Sequence, residues 1–445
     1  MVTKPKVCLI SLGCAKNRVD SEHILGLIDE AEFPIVSAIE AADIAVLNTC
    51  GFVQAAVEES IDEILQLCAR KHSGKLKRVV VVGCMVQRYG YKLRREIPEV
   101  DAWLGTGAVG QIGDLLSGSA EQAAPFHITR PTALADHRTP RLHTTPSYSA
   151  YLKIAEGCDH KCAYCMIPRL RGPYRSRAPE SIVTEAERMV DRGVKEINLI
   201  AQDTTMYGRD LEGSSSLEAI LKSLLCLRGL RWIRILYAHP MNISDSLLDL
   251  MEQEEAICPY LDIPFQHVNE RLLRRMGRAV GGESPQELLE RIRSRHRSLS
   301  IRTTFMVGFP GETETAFNEL LEFVRWAALD HLGVFVFSSE KGTPAARLGG
   351  EVRAEVARQR QGAIMALQAE LSKTKNRRVI GQVVPVLIEG PSAETDLLLA
   401  GRTARMAPDV DARVLINKGE AQVGEIVAVR INEAYEYDLV GEIVE

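Results

Sequence analysis

Residues 157–168 read GCDHKCAYCMIP and place three cysteines close together, at Cys158, Cys162 and Cys165. The stretch ends an apolar run, YLKIAEG, that is typical of a buried β-strand. Three thiolates are one fewer than the four ligands of a structural zinc site. A 4Fe–4S cluster held by three cysteines instead leaves one iron open to a small molecule. The stretch therefore predicts a metal centre with an open coordination position at the end of a strand.

Two other interpretations of the loop stay open on the residues alone. A zinc ion would need His160 as its fourth ligand, and His160 lies only two residues from both Cys158 and Cys162, which is tighter than the usual ligand spacing. The other possibility is a redox or structural CxxC pair with an unrelated third cysteine.

The composition limits the class of protein. The 445-residue chain is 46% hydrophobic and 25% charged, which is ordinary for a folded protein, and its length predicts two to three domains. The net charge of −5 gives no general argument for nucleic-acid affinity, and no apolar stretch reaches the length of a membrane span. The amino-terminal segment predicts a strand rather than a secretory signal, so we expect a cytoplasmic protein. Ten cysteines in that reducing compartment indicate metal binding or catalysis rather than disulfides.

The predicted fold class is α/β with several domains. Residues 1–116 contain VCLISLG, IAVLNTC and VVVVGC, each followed by a helical pattern, which predicts a parallel sheet with crossover helices. Residues 117–149 lose this pattern and predict a linker. Residues 150–375 hold six strand candidates alternating with amphipathic helices, which predicts a partial (βα) barrel like that of a TIM barrel. A long polar helix over about 351–377 leads out of it. Residues 376–445 have short strand-like runs and predict a small all-β barrel.

A second set of three cysteines lies in the first domain. Cys14, Cys50 and Cys84 each lie at the carboxyl end of a predicted parallel strand, so they should face one crevice at one edge of the sheet. Helices that begin just after them would lower the thiol pKa and favour thiolate ligands. Three buried structural cysteines are the alternative. We predict a second metal site with an open position.

Polar residues also collect at the ends of the predicted barrel strands, where such barrels carry their chemistry. They are Gln202, Asp203, His239, Gln266, His267 and the GFPGE turn (Gly308 to Glu312). Each is also consistent with an ordinary hydrogen-bonded loop residue, and the glycines with simple turn formers. The run RLRGPYRSR (Arg169 to Arg177) suggests a grip on a carboxylate or phosphate, but a solvated face is the favoured interpretation.

The loop resembles that of the radical S-adenosylmethionine (SAM) enzymes, whose motif is C-x3-C-x2-C with an aromatic residue before the last cysteine. Cys158, Cys162, Tyr164 and Cys165 match it position for position. The resemblance implies a 4Fe–4S cluster whose open iron chelates SAM and cleaves it to a 5′-deoxyadenosyl radical. It also implies cofactor contacts, for which we choose Tyr164, Gln202 and Gln266.

Nearly the whole chain resembles the methylthiotransferase family. That resemblance implies an auxiliary 4Fe–4S cluster held by Cys14 (SLGCAKN), Cys50 (LNTCGFV) and Cys84 (VGCMVQRY), whose open iron carries the sulfur to be inserted. It implies a radical SAM core and a carboxyl-terminal TRAM domain, with the amino-terminal domain over the barrel mouth. The other four cysteines are interpreted as structural, and they are Cys8, Cys68, Cys226 and Cys258.

One branch of this family modifies an adenosine of transfer RNA, and another modifies an aspartate of small-subunit ribosomal protein uS12. Residues 376–445 contain seven Lys plus Arg against twelve Asp plus Glu, a charge that suits a basic protein better than RNA. LDIPFQH (Leu261 to His267) and GRTARMAPDVD (Gly401 to Asp411) also resemble the second branch. We therefore predict methylthiolation of the ribosomal protein, with an electron donor such as flavodoxin or ferredoxin. The alternatives are the transfer RNA reaction and a non-catalytic, zinc-dependent RNA-binding protein.

Overall fold

The computed structural model describes residues 4–118, 126–213, 215–278, 282–296, 298–395 and 397–444. Three sheets follow one another along the chain: a five-stranded sheet, a six-stranded sheet and a closed barrel. This order confirms the predicted fold class. A short antiparallel pair of strands lies beside the second sheet.

The amino-terminal sheet is parallel throughout, with its strands in chain order. Its strands are β1 (Val7–Ser11), β2 (Ile44–Thr49), β3 (Arg78–Gly83), β4 (Ala102–Leu104) and β5 (Phe126–His127). Its helices are α1 (Ala15–Leu27), α2 (Gln54–His72), α3 (Cys84–Glu96) and α4 (Ile112–Ser117). Strands β2 and β3 are almost wholly buried, because helices cover both faces of the sheet, as a parallel sheet requires. Strand β5 lies inside the segment that we predicted as a linker.

The central sheet contains six parallel strands in chain order and does not close. Its strands are β6 (Ser149–Lys153), β9 (Glu196–Ile200), β10 (Trp232–Ile235), β11 (Ile257–Asp262), β12 (Ser300–Val307) and β13 (His331–Val336), and the short pair is β7 (Ala155–Glu156) with β8 (Arg175–Ser176). The helices are α5 (Ile167–Arg171), α6 (Pro179–Asp191), α7 (Leu217–Leu225), α8 (Asp245–Gln253), α9 (Glu270–Arg275), α10 (Pro285–Arg295), α11 (Glu314–Ala327) and α12 (Ala354–Arg377). The largest apolar core of the molecule lies between this sheet and its helices. All six predicted strands are present.

The carboxyl-terminal domain is a closed five-stranded barrel in the order β14-β15-β16-β18-β17. Its strands are β14 (Val383–Pro391), β15 (Leu399–Thr403), β16 (Val414–Lys418), β17 (Ile426–Ala434) and β18 (Leu439–Ile443). All pairs are antiparallel except β16 with β18. Strand β15 was not among the predicted strands, because its short LAGRT sequence carries little alternation of apolar and polar residues.

Strand β15 and the connection from it to β16 fasten this barrel to the inner face of the central sheet. Arg402 contacts the buried carboxylate of Glu196, and Arg234 reaches the same carboxylate at 3.0 Å. Further along the connection, Asp409 accepts a hydrogen bond from the Tyr151 hydroxyl at 2.9 Å, and Asp411 accepts one from Tyr260 at 2.7 Å. The stretch GRTARMAPDVD therefore docks one domain onto another.

Among the described helices, none combines the length and the apolar character needed to cross a membrane.

Candidate active site

The cysteine loop begins directly after β7, at the carboxyl end of the first strand of the central sheet. Gly157 has a φ of 82°, and a Cβ atom there would lie 2.0 Å from the Pro173 carbonyl oxygen, so only glycine fits this turn. The Cys165 N–H donates to the Cys162 carbonyl at 3.1 Å. Burial raises the pKa of the Cys158 thiol to about 11 and that of Cys165 to about 12. The loop is thus a tight, partly buried turn that holds three thiols together.

His160 is anchored away from the cysteines. Its Nε2 lies 2.7 Å from Oδ2 of buried Asp203, and its ring stacks on that of His239 with centroids 4.0 Å apart. Asp203 also accepts hydrogen bonds from the Thr205 hydroxyl and from Asn242 Nδ2. The three residues His160, Asp203 and His239 have donor atoms close enough for a cation, and His160 Nε2 is engaged by Asp203. His160 therefore braces the cysteine loop against the loop that carries Asp203.

Of the three residues predicted to contact the cofactor, Tyr164 lies in this loop, Gln202 contacts Glu156 just before it, and Gln266 follows β11. Tyr164 is half-buried, and burial raises its pKa well above the ordinary value. Gln202 Nε2 donates to Glu156 at 3.0 Å, while its Oε1 is buried and, among the described residues, has no hydrogen-bond partner. Gln266 has a φ of 70°, a left-handed conformation that is unusual for glutamine. An orphaned acceptor and a strained backbone fit a bound polar molecule, and the contacts themselves stay a prediction.

The other predicted mouth residues have structural partners. His267 is fully buried with its Nε2 3.4 Å from Glu312, and Glu312 is paired with Arg360 of α12 at 2.9 Å. Gly308 has a φ of 79°, and a Cβ there would lie 2.6 Å from Ala357 Cβ on the same helix. The GFPGE turn is thus needed for packing against α12.

The three amino-terminal cysteines meet at one edge of their sheet, as predicted. Cys14 is the N-cap of α1, Cys50 follows β2, and Cys84 is the first residue of α3. A Cβ atom at Gly13 would lie 3.3 Å from Cys50 Sγ, and one at Gly51 would lie 2.9 Å from the Cys84 carbonyl carbon. The loops after β1, β2 and β3 therefore touch, and glycines permit the approach.

The predicted effect of helix starts on these thiols is correct for one cysteine of the three. Part of the Cys14 residue is exposed to solvent, but the surrounding protein shields its thiol and so desolvates it. The charges of Lys16 and Arg171, with backbone N–H groups, outweigh that desolvation and lower the Cys14 pKa. Burial instead raises the pKa of Cys50, and it raises that of Cys84 to about 12. The prediction was wrong for Cys50 and Cys84 because desolvation dominates over the helix dipole at buried positions.

Arg171, in the helix that follows the second cysteine loop, contacts the amino-terminal cysteine site. Its Nε donates to Cys84 Sγ at 3.2 Å, its Nη2 donates to Asn17 Oδ1 at 2.7 Å, and its Nη1 pairs with Asp20 and, at 3.5 Å, with Glu156. The residue is 5% exposed. The interpretation of its Arg-rich run as a solvated face was wrong here, because the buried carboxylates and the thiol satisfy the guanidinium.

Arg177, in the same run, is also buried. It pairs with Glu185 at 2.6 Å and donates to the Lys153 carbonyl at 2.8 Å. The run thus supplies charge to the interior of the molecule at two positions.

The amino-terminal domain sits over the mouth of the central sheet, as the resemblance implied. Cys84 packs against Met166 and Leu170, which directly follow the other cysteine loop. At the opposite side of the sheet, buried Glu340 pairs with Arg88 at 2.8 Å and accepts the Gln54 N–H at 2.9 Å. Both cysteine sets therefore lie near the interface between the two domains, and we call this interface region the chamber.

Six thiols without disulfide partners, arranged as two sets of three at strand ends, form a donor set suited to two iron–sulfur clusters. Of the remaining cysteines, Cys8, Cys68 and Cys258 are buried and Cys226 is exposed at the end of α7. Sequence reasoning missed Arg171, Lys16 and Tyr237. Only the positive charge of the first two was visible, with nothing to mark their burial.

The fold and the cysteine loop define a radical SAM enzyme. Residues 6–105 match the uncharacterized protein family UPF0004, residues 152–324 the Radical SAM superfamily and residues 380–444 the TRAM domain. Among solved structures, the radical SAM methyltransferase TsrM from Kitasatospora setae superposes with a TM-score of 0.56 at 13% identity, covering 77% of this chain and 74% of that one. This likeness is one of fold.

Closer relatives extend along the entire chain. The ribosomal protein uS12 methylthiotransferase RimO of Pelobacter propionicus is 47% identical, covering 99% of this chain and 98% of its own length. RimO of Syntrophotalea carbinolica is 48% identical, covering 100% of this chain and 98% of its own length. RimO of Geobacter sulfurreducens is 46% identical, covering 99% of each chain. The chain belongs to the RimO family of radical SAM methylthiotransferases. The predicted enzyme class is thereby confirmed over the transfer RNA branch and over a zinc-dependent binding protein.

Proposed function

We propose that this enzyme methylthiolates the β-carbon of an aspartate in ribosomal protein uS12. Cys158, Cys162 and Cys165 hold the 4Fe–4S cluster common to radical SAM enzymes, and Cys14, Cys50 and Cys84 hold an auxiliary cluster. The observation that carries the proposal is the contact of Arg171 with Cys84, which packs beside Met166 and Leu170 just after the other cysteine loop and so supports two neighbouring centres. A single substrate residue can then meet both centres.

The substrate chemistry explains why two centres are needed. The β-carbon of aspartate carries unactivated C–H bonds, which a protein side chain does not ionise at neutral pH. When bound, the radical SAM cluster supplies the one-electron cleavage of SAM that makes hydrogen abstraction possible. Two SAM molecules are used per product, one as methyl donor and one as radical source.

The chain's own residues position and enclose these groups. Three residues would contact SAM. Gln202 would accept a hydrogen bond through its Oε1, which has no partner among the described residues, while Gln266 would contribute its strained loop and Tyr164 its ring. Arg171 and Lys153 pair with Asp20 and Glu156, so these four buried charges compensate one another. The domain above the mouth excludes water, which protects a reactive radical.

The substrate assignment is supported by the relatives, whose names specify uS12, and by the acidic carboxyl-terminal domain. A ribosomal substrate places the enzyme in the cytoplasm, with flavodoxin or ferredoxin as electron donor. We assign residues 1–116 to the methylthiotransferase domain, 150–375 to the radical SAM core and 376–445 to the TRAM domain, with 117–149 connecting the first two.

The experiment is mass spectrometry of ribosomal proteins and transfer RNA from a strain that lacks the gene. We expect uS12 to lose a methylthio group and to regain it when the wild-type gene is restored. A gene in which Cys14, Cys50 and Cys84 are all Ala should not restore it. Unmodified transfer RNA with normal uS12 would contradict the proposal.

A further inference from the structure

Lys16 reaches from the amino-terminal domain into the chamber. It is the second residue of α1, its N–H donates to the Cys14 thiol, and its side chain is 9% exposed. Its ammonium Nζ lies 3.1 Å from the centroid of the Tyr237 ring. The backbone of Lys16 thus contacts one cysteine of the auxiliary set, while its charged end contacts Tyr237 at the barrel mouth.

The backbone conformation of Tyr237 at this contact is unusual. It follows the carboxyl end of β10 and has a φ of 62°, which costs free energy for a bulky residue. Its carbonyl accepts the Thr204 N–H at 3.1 Å, which ties it to the loop that carries Gln202 and Asp203. Strain of this kind persists where the surrounding structure holds a site in a functional geometry.

The neighbouring buried cations form ion pairs, whereas Lys16 has none among the residues that the structure describes. Lys153 and Arg171 share Asp20 and Glu156, and Arg302 pairs with Asp262 at 3.3 Å. Within the described part of the chain, no carboxylate oxygen lies within 4.0 Å of Lys16 Nζ. The direct contact of the Lys16 ammonium is the face of the Tyr237 ring, while the Cys14 thiol and the Asp262 carboxylate feel its charge without forming an ion pair with it. The chamber therefore has one positive charge available for an incoming anion.

We propose that Lys16 binds the side-chain carboxylate of the target aspartate, an inference that rests on the proposed function. In aspartate the carboxylate is attached directly to the β-carbon. An ammonium that holds the carboxylate beside Cys14 and Tyr237 would therefore set the β-carbon between the two cysteine sites. Lys16 is then a binding residue that selects aspartate over a neutral side chain of the same shape.

The test compares binding of purified uS12 by the reconstituted holoenzyme, with the target residue either as Asp or changed to Asn. The variants are Lys16→Gln, Lys16→Arg and, as a matched control on the same helix, Arg18→Gln, whose exposed side chain pairs with Asp409. We expect the wild type to bind the Asp form about tenfold more tightly than the Asn form. Lys16→Gln should bind the two forms equally, Lys16→Arg should keep part of the preference, and Arg18→Gln should keep all of it.

Iron and sulfide content and the visible absorbance of each variant establish that its clusters have assembled. If Lys16→Gln weakens both forms equally and keeps the Asp preference, Lys16 is structural and the inference is wrong. The inference also fails if Lys16 binds an anion on the auxiliary centre instead, because Lys16→Gln would then still prefer the Asp form over the Asn form. A wild-type enzyme that binds uS12 but does not distinguish Asp from Asn overturns the inference without any variant. A wild-type enzyme that neither binds nor modifies uS12 would instead refute the proposed function.

Discussion

The Nε of Arg171 donates a hydrogen bond to the Sγ of Cys84 at 3.2 Å, across the interface between the radical SAM domain and the domain above it. The same guanidinium pairs with Asp20 and Glu156. One side chain therefore links a predicted ligand of the auxiliary cluster to Glu156, which directly precedes the other cysteine loop.

Replacing this guanidinium should destabilise the interface. Arg171→Met leaves Asp20 and Glu156 buried with one cation fewer, which costs about 3–5 kcal/mol when one partner of a buried pair is removed. We expect a lower thermal unfolding midpoint and less iron retained at the amino-terminal site. The unfolding midpoint of Arg171→Lys should fall between those of the wild type and Arg171→Met, because lysine keeps the charge and loses the planar guanidinium. Arg169→Met, at an exposed position in the same helix, is the control. Equal stability of the two Met variants would contradict a bridging role.

The two cysteine sets should be separable. Replacing Cys158, Cys162 and Cys165 by Ala should leave roughly half of the iron and sulfide and abolish SAM cleavage, because the radical SAM cluster is lost. Replacing Cys14, Cys50 and Cys84 should abolish the methylthiolated product while 5′-deoxyadenosine still forms. The measurements are metal analysis and chromatography of the nucleoside. Loss of all iron from either folded variant would argue against two independent centres.

The docking of the TRAM domain should depend on pH. Arg402 and Arg234 outweigh the desolvation of Glu196 and lower its pKa from 4.5 to about 2. Because the folded-state pKa is depressed, this stabilisation is complete above about pH 4.5 and is lost as the pH falls towards 2. Arg402→Met should lower the free energy of unfolding by about 3–5 kcal/mol at neutral pH and flatten the dependence on acid. Urea unfolding across this pH range tests both effects, with exposed Arg413→Met as the control. A variant as stable as the wild type would show that the pair only offsets its own desolvation.

Binding of uS12 should weaken as salt rises. The acidic TRAM domain attracts a basic partner, and salt screens exposed charges. Deleting the domain would uncover the inner face of the central sheet, so the sharper variant is Glu394→Gln with Glu420→Gln, two exposed acids away from the docking contacts. We expect slower association and a shallower salt dependence, measured by surface plasmon resonance with uS12. Tight, salt-sensitive binding of transfer RNA would reverse the assignment of the partner.

Hydrogen should be removed from the β-carbon of the target aspartate. A substrate with deuterium at that carbon should transfer the label to 5′-deoxyadenosine during turnover, because abstraction precedes sulfur insertion. Mass spectrometry measures the deuterium in the nucleoside and the methylthiolation of the product. Methylthiolated product formed without labelled nucleoside would exclude this route.

The sequence alone predicted the class of the enzyme, through its resemblance to the radical SAM methylthiotransferases, and it singled out six cysteines as candidate ligands. Each cysteine belongs to a short motif that follows an apolar, β-branched run, so local spacing and strand periodicity were sufficient to place them at strand ends. Because parallel strands place their carboxyl ends together, the sequence also implied that Cys14, Cys50 and Cys84 would meet.

Only the tertiary structure decided which charges are buried and what they contact. Arg171 and Cys84 are 87 residues apart, and Glu196 and Arg402 are 206 apart, so no local pattern relates them. An arginine in a polar run is expected to be solvated unless a distant carboxylate or thiol lies against it. The position of the Lys16 ammonium over Tyr237 has the same origin, because desolvation and charge pairing depend on the neighbours that folding brings together and not on the adjacent sequence.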